Sequence, residues 1–121
     1  MGDFRKLKVW EKAHALVLRT YQVTGTFPKA ETYGLVSQLR RAAVSIGSNL
    51  AEGTGRGSKR EMAYFVRLSL GSTHELQYQF LLARDLGWIS GDIYPPLEAS
   101  AKEVRAMLEG LRRSMEGGPD R

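Results

Sequence analysis

The chain has 121 residues, 42% of them hydrophobic and 26% charged, and this globular composition excludes an intrinsically disordered chain. It contains no cysteine, which excludes disulfides, thiolate metal sites and cysteine nucleophiles. No apolar run reaches about 18 residues and no signal-peptide pattern is present, so we expect a cytoplasmic protein without a membrane partner.

Helical periodicity divides the chain into four segments. Turn-forming sequences separate them at TGTFPK, EGTGRGS and LGWISGDIYPP. No stretch shows the sustained period-two alternation of a strand, which favours an all-α chain. We therefore predict a single domain over residues 1–121, with helices at about 7–24, 31–52, 58–86 and 94–116.

The first two predicted helices contain informative apolar and glycine positions. In the first, apolar residues such as Val9, Ala13 and Leu16 recur at steps of three and four. The second contains Gly47, whose cost within a helix indicates a close helix contact or a bend. Gly53 is expected just past the end of the second helix, in the left-handed conformation of a cap.

The last two predicted helices carry stronger signals. Ser58 followed by Glu61 is a capping-box pattern and opens the third helix. Pro95 and Pro96 suit the first turn of the fourth. The fourth helix also has a core stripe with alternating steps of four and three, formed by Leu97, Ala101, Val104, Leu108, Leu111 and Met115.

Short connections between the four helices predict an antiparallel up-down-up-down four-helix bundle. The second and third helices are apolar on more than one face, with Val44 and Leu68 among the apolar residues that widen the stripe. A bundle that stays alone leaves one face of every helix in water. We therefore expect this bundle to assemble with copies of itself as a homo-oligomer.

The net charge of +5 is unevenly distributed along the chain. Residues 1–60 carry 11 Lys and Arg against 4 Asp and Glu, whereas residues 61–121 carry 7 against 9. A basic surface attracts phosphate backbones or an acidic partner, and it serves equally well as a solvated surface. The candidate nucleic-acid contacts in the basic half are Arg5, Lys6, Lys8, Arg40, Arg56, Lys59 and Arg60.

A polar stripe runs along the otherwise apolar second helix, and a shorter one lies on the third. One interpretation is a polar site between helices. The favoured one is a hydrogen-bond network that fixes the helix register, with Arg41 or Arg40 reaching Glu75 or Glu52. The members of the predicted network are Gln38, Arg41, Ser45, Asn49, Glu52, Ser72 and Glu75.

Motifs for catalysis or cofactor binding are missing from the sequence. His14 and His74 have no second histidine or carboxylate pair at metal-ligand spacing. The EGTGRGS segment lacks the spacing and the preceding strand of a phosphate-binding loop, so we interpret it as a flexible connection. We therefore predict no metal, no cofactor and no enzymatic activity. An enzyme would need Glu52, Glu75 or His74 gathered in a cleft.

Three runs of residues resemble a known bacterial family. They are FRKLKVWEKAHALV, FPKAETYGLVSQLRRAAVSIGSNLAEGTGRGS and FVRLSLGSTHELQYQFLLARDLGWI. Together they are similar to the four helix bundle protein family, also called the 23S rRNA-intervening sequence protein family. The similarity covers about residues 4–115, and the stretch QLRRAAVSIGSNLAEG with the later GSTHEL is its most specific part.

The resemblance implies an up-down bundle and a homopentameric ring. Some members of the family are encoded within intervening sequences of large-subunit rRNA genes. A related accessory protein of diversity-generating retroelements is a basic pentamer that binds nucleic acid and a reverse transcriptase. The family has no agreed molecular activity, and it implies no enzymatic one.

The residues and the resemblance together support two functions. The first is a homo-oligomeric interaction module whose basic surface binds RNA or DNA through backbone charge. The second is a scaffold or accessory subunit for a protein partner, with no direct role in nucleic-acid binding.

Overall fold

The computed structural model describes residues 2–117, and no strand occurs among them. Two short 3-10 turns, Phe4–Lys6 and Lys29–Glu31, precede the first and second helices. The predicted all-α class with four helices is confirmed. The helices are α1 Lys8–Thr24, α2 Leu35–Thr54, α3 Lys59–Asp85 and α4 Tyr94–Glu116.

Each helix is adjacent to two of the other three within residues 2–117. Helices α1 and α3 both pack beside α2 and α4, and the backbones of α1 and α3 do not approach each other closely. Between α2 and α3, the Ser69 hydroxyl donates to the Ile46 carbonyl at 2.8 Å, and Gly53 lies against Met62. Contact positions therefore fall in α3 as they rise in α2.

The other neighbouring helices show the same order of contacts. Trp10 lies against Gly47, whereas Thr24, later in α1, accepts a hydrogen bond from Arg40, earlier in α2. Between α3 and α4, Arg67 pairs with Glu116 and Arg105 donates to Gln77. These contacts link neighbouring helices whose shared core is apolar.

All four helices contribute buried apolar side chains to one core. Leu16, Leu50, Phe80 and Leu108 are at most 2% exposed and come from α1, α2, α3 and α4 in turn. Burying a side chain of this size stabilises the fold by about 1.5–3 kcal/mol. In α4, the first four residues of the predicted stripe are buried and the last two are half-buried.

The second helix is displaced from its predicted bounds. It begins at Leu35, because residues 29–31 form a 3-10 turn and the Glu31 carboxylate accepts a hydrogen bond from the Leu35 amide at 3.2 Å. It ends at Thr54, so Gly53 lies inside the last turn and is buried. The prediction of a left-handed cap at Gly53 is wrong. The left-handed glycine of this connection is Gly57, with φ of +94°.

Both glycines of α2 allow another helix to approach closely. A Cβ at Gly53 would lie 2.6 Å from the Met62 sulfur and 3.0 Å from the Phe65 Cβ. A Cβ at Gly47 would lie 3.2 Å from the Trp10 indole nitrogen. The predicted close contact at Gly47 is therefore confirmed, and Gly53 has the same role against α3.

The predicted helix starts rest on local signals that the structure reproduces. The Ser58 hydroxyl accepts a hydrogen bond from the Glu61 amide at 3.1 Å and caps α3. Pro95 and Pro96 occupy the first turn of α4. None of the helices described in residues 2–117 combines the length and the apolar character that crossing a bilayer requires.

Gln79 of α3 is a buried amide with an unused acceptor. Its side chain is 5% exposed, and its Oε1 atom has no hydrogen-bond partner within residues 2–117. We expect Gln79→Leu to raise the free energy of unfolding by about 1 kcal/mol, because a buried polar atom without a partner costs roughly 1–3 kcal/mol. Urea denaturation at fixed protein concentration measures the change.

The exposed Gln22 of α1 provides the matched control for this substitution. Gln22→Leu should leave the unfolding free energy within about 0.5 kcal/mol, because surface substitutions usually have small effects. A loss of stability in Gln79→Leu would contradict the expectation.

Candidate nucleic-acid interface

Four segments of the chain meet at one end of the molecule. Phe4 and Trp10 line a common cavity with Ala51, near the end of α2. The start of α3 lies against the end of α2 and, through Arg67 and Glu116, against the end of α4. We call this region the basic end. Its basic residues are Arg5, Lys6, Lys8, Arg56, Lys59, Arg60, Arg67, Arg112 and Arg113.

The connection between α2 and α3 directs two of these cations into the first turn of α3. Gly57 adopts a positive φ that other residues rarely adopt, which turns the chain sharply after α2. Ser58 then caps α3, and its hydroxyl also lies 3.2 Å from the Glu61 carboxylate. Lys59 and Arg60 are consequently the first two residues of α3.

Most carboxylates of the basic end are engaged by arginines of the same end. The Arg5 guanidinium lies 3.0 Å from Asp3, and this hydrogen bond lowers the pKa of Asp3 below its ordinary value. In the remaining ion pairs, too, an arginine lies against a carboxylate of the same end. The hydrogen bond from Arg112 lowers the pKa of Glu109 below its ordinary value. These pairs are Arg56 with Glu52 at 2.9 Å, Arg67 with Glu116 at 2.8 Å, Arg112 with Glu109 at 2.7 Å and Arg112 with Glu116 at 3.5 Å.

Four cations of the basic end have no ion-pair partner within residues 2–117. They are Lys6, Lys8, Arg60 and Arg113, and all four side chains are exposed. Glu11 and Glu61 are the exposed carboxylates of this end without an ion pair in the same range. Cations therefore outnumber carboxylates among the charges that remain for a partner.

Arg40 lies away from the other candidate contacts. Its Nε donates to the Thr24 hydroxyl at 2.9 Å, and one of its terminal nitrogens lies 3.4 Å from the Tyr21 carbonyl. The guanidinium also stacks on the Tyr21 ring, with 4.4 Å between its carbon and the ring centroid. Arg40 thus links α1 to α2, far from the turn that carries Arg56, Lys59 and Arg60.

The polar stripe of α2 divides into separate contacts. The Ser45 and Ser72 hydroxyls lie 2.8 Å apart, and the Asn49 amide donates to the Ser45 carbonyl at 2.9 Å. Glu52 is taken up by Arg56 at the basic end. Gln38, Arg41 and Glu75 line a shallow cavity of about 340 Å³ between α2 and α3, without an ion pair between Arg41 and Glu75.

The residues that a hydrolytic site would need are spread over the surface. His14 stacks on Trp10 with 4.9 Å between ring centroids, while His74 and Glu75 are exposed on α3. Within residues 2–117, no three His, Cys, Asp or Glu side chains are grouped to hold a metal ion.

Sequence reasoning missed Arg67, Arg112 and Arg113 as parts of the basic end. They lie in the acidic half of the chain, so a comparison of the two halves does not reveal them. The expected antiparallel order of α3 and α4 could have revealed them, because it places the end of α4 beside the start of α3.

Comparisons with known proteins agree with the fold. The family profile described as 23S rRNA-intervening sequence protein matches residues 5–110. The chain belongs to this family. This confirms the resemblance that the three sequence runs indicate.

A solved structure has the same fold as this 23S rRNA-intervening sequence protein. It comes from Bacteroides thetaiotaomicron VPI-5482 and is described as a protein with unknown function from the S23 ribosomal protein family. The TM-score is 0.80 at 18% identity, over 87% of this chain and 95% of that chain. At this identity the likeness shows a shared fold. No curated protein matches the chain.

Proposed function

We propose that the protein is a non-catalytic up-down-up-down helical bundle that assembles with copies of itself and binds RNA or DNA through the basic end. The contact order between neighbouring helices supports the up-down arrangement. The homopentamer implied by the resemblance is part of the proposal, as is a cytoplasmic location. We include no enzymatic activity, cofactor or metal.

The observation that carries nucleic-acid binding is the convergence of exposed cations at the basic end. Lys6, Lys8 and Arg60 are separated by up to about fifty residues of sequence, yet their segments meet there. Phosphate backbones release bound counterions when such cations replace them, which favours binding without any sequence preference.

Self-assembly is supported by apolar side chains that the single chain leaves exposed. Tyr64, Leu68 and Tyr78 of α3 are 40–62% exposed, and Val44 of α2 is 42% exposed. Apolar residues gathered on one outer face mark interaction sites more often than scattered ones do. A second copy of the same chain could bury these exposed apolar side chains, so no different protein is needed as the partner.

A binding titration at two salt concentrations tests the nucleic-acid proposal. We expect labelled structured RNA or duplex DNA to be retained with the protein on a filter at low salt. If four phosphates are contacted, affinity should fall roughly 100-fold between about 50 and about 200 mM salt, because the slope is about −0.9 per contact. Absence of retention at low salt, or an affinity that salt does not change, would contradict the proposal.

The second candidate is a scaffold for a protein partner. Tyr33, before α2, is 96% exposed, and large exposed aromatic residues are frequent anchors of protein interfaces. Affinity purification before and after nuclease treatment distinguishes the two functions. A stoichiometric protein partner that survives nuclease treatment favours the scaffold.

A further inference from the structure

A cavity at the start of α3 combines arginines with aromatic rings. Its volume is about 440 Å³, and sites that bind small molecules typically measure roughly 300–1,000 Å³. It belongs to the basic end, and we call it the α3 cavity. The side chains that line it are Arg56, Arg60, Glu61, Tyr64, Phe65 and Arg67.

Arg60, Tyr64 and Arg67 share one face of α3, because they follow one another at steps of four and three. All three side chains are exposed, and Tyr64 is 50% exposed. Arg60 forms no ion pair within residues 2–117. Arg67 pairs with Glu116 at 2.8 Å, but a guanidinium has five N–H donors and can bind a second anion. The ring of Tyr64 therefore has a cation one helical turn before it and another one turn after it.

Neighbouring side chains support the Tyr64 ring and leave much of it accessible. The Tyr64 and Phe65 rings meet edge to face, with 5.0 Å between their centroids and 81° between their planes. The Arg56 guanidinium carbon in turn lies 5.1 Å from the Phe65 ring centroid. Edge-to-face contacts favour one relative position of two rings. Tyr64 is thus held against Phe65 while half of its surface remains exposed for a ligand.

A nucleotide matches both chemical features of the α3 cavity. The lining residues carry three positive charges and one negative charge, that of Glu61. Arginine binds phosphate oxygens, and the face of a base stacks on an aromatic ring. In a duplex the faces of the bases are covered by the neighbouring base pairs, so only an unpaired base can stack on a protein side chain. The α3 cavity therefore fits a single strand.

We infer that the α3 cavity binds an unpaired nucleotide of single-stranded RNA or DNA. Its base stacks on Tyr64, and the phosphates on either side of it contact Arg60 and Arg67. This inference rests on the nucleic-acid binding proposed above and adds the form of nucleic acid that the cavity takes. Stacking tolerates every base, because each base has a flat π surface. The selectivity therefore concerns single strands as against duplexes, with no preferred base sequence.

Variants of Tyr64 separate stacking from charge. Tyr64→Ala and Tyr64→Leu remove the ring, whereas Tyr64→Phe retains it. The position is exposed, and alanine and leucine both favour a helix, so the bundle should keep its helical circular dichroism. Tyr78→Ala is the matched control. Tyr78 is 62% exposed on the same helix, and no arginine or lysine lies three or four residues from it.

Fluorescence anisotropy with the full chain compares labelled oligo(dT), which stays unpaired, with a labelled duplex of the same length. We expect Tyr64→Ala and Tyr64→Leu to lose about tenfold in affinity for oligo(dT), because each stacked base contributes substantially to binding. Their affinity for the duplex should not change, since backbone charge alone holds it. Tyr64→Phe and Tyr78→Ala should bind both ligands as the wild type does.

The possible failures of this experiment have different consequences. Equal losses for oligo(dT) and duplex in Tyr64→Ala, or no loss for either, would overturn the inference and leave nucleic-acid binding standing. Tyr64 is also one of the exposed apolar residues of α3, so light scattering on a size-exclusion column should show an unchanged mass for Tyr64→Ala. A changed mass would place the ring in a contact between copies and would overturn the inference as well. If the wild type bound neither ligand, the proposed function would fall together with the inference.

Discussion

Replacing Lys6, Lys8 and Arg60 together by glutamate is expected to lower the affinity for RNA or duplex DNA by roughly 500-fold at about 0.1 M salt. Each lost phosphate contact forfeits a factor of about 8 at that salt concentration, because the slope is about −0.9 per contact. These three side chains are exposed and form no ion pair within residues 2–117. Fluorescence anisotropy with a labelled duplex measures the change.

A control with the same change in net charge separates a site from bulk electrostatics. Arg19, Lys29 and Lys102 are exposed cations outside the basic end, so their joint replacement by glutamate alters the total charge equally. We expect the control to retain most of the affinity. Equal losses in the two triple variants would show that net charge alone attracts the nucleic acid.

Replacing Leu16 by alanine is expected to lower the free energy of unfolding by about 2–5 kcal/mol. Leu16 is 2% exposed in α1, so the substitution leaves a cavity in the core shared by the four helices. Leu18 is the same residue type two positions along the same helix, but it is 55% exposed. Leu18→Ala should cost less than about 1 kcal/mol.

Urea denaturation of the two leucine variants at one protein concentration measures the difference. The fixed concentration matters because association contributes to the stability of an assembled protein. Comparable losses in Leu16→Ala and Leu18→Ala would contradict the core position of Leu16 or show that Leu18 is buried in the assembly.

Periodicity and capping chemistry explain why most of the fold was predictable. The Ser58 cap and the two prolines of α4 act within one turn of the chain, so their effect can be predicted without tertiary structure. The start of α2 could not be predicted this way, because Glu31 supplies its carboxylate from a preceding 3-10 turn. Near the end of α2, Gly53 packs against α3, and helical periodicity gives no information about such a tertiary contact.

The candidate site was less predictable than the fold because the sequence shows which residues are charged, but not which of these charges are exposed and unpaired. Arg5 and Arg56 are basic residues of the first half, yet each is neutralised by a nearby carboxylate. Arg40 is used to join α2 to α1. Conversely, Arg113 lies in the acidic half of the chain and reaches the basic end only through the path of α4.

For the polar stripe of α2, the sequence predicted which side chains share a face but not which of them form hydrogen bonds or ion pairs. Helical spacing put Ser45 and Asn49 on one side of α2, and Ser45 forms hydrogen bonds with Asn49 and with Ser72. Spacing cannot decide rotamers, and Arg41 and Glu75 line one cavity without pairing.

Self-assembly is the central claim, and the mass of the purified protein tests it most directly. We expect light scattering on a size-exclusion column to give a whole-number multiple of 13.5 kDa greater than one. Nuclease treatment should remove co-purifying nucleic acid, seen as a lower absorbance at 260 nm, without changing that multiple. A mass of 13.5 kDa, before or after nuclease, would contradict the claim.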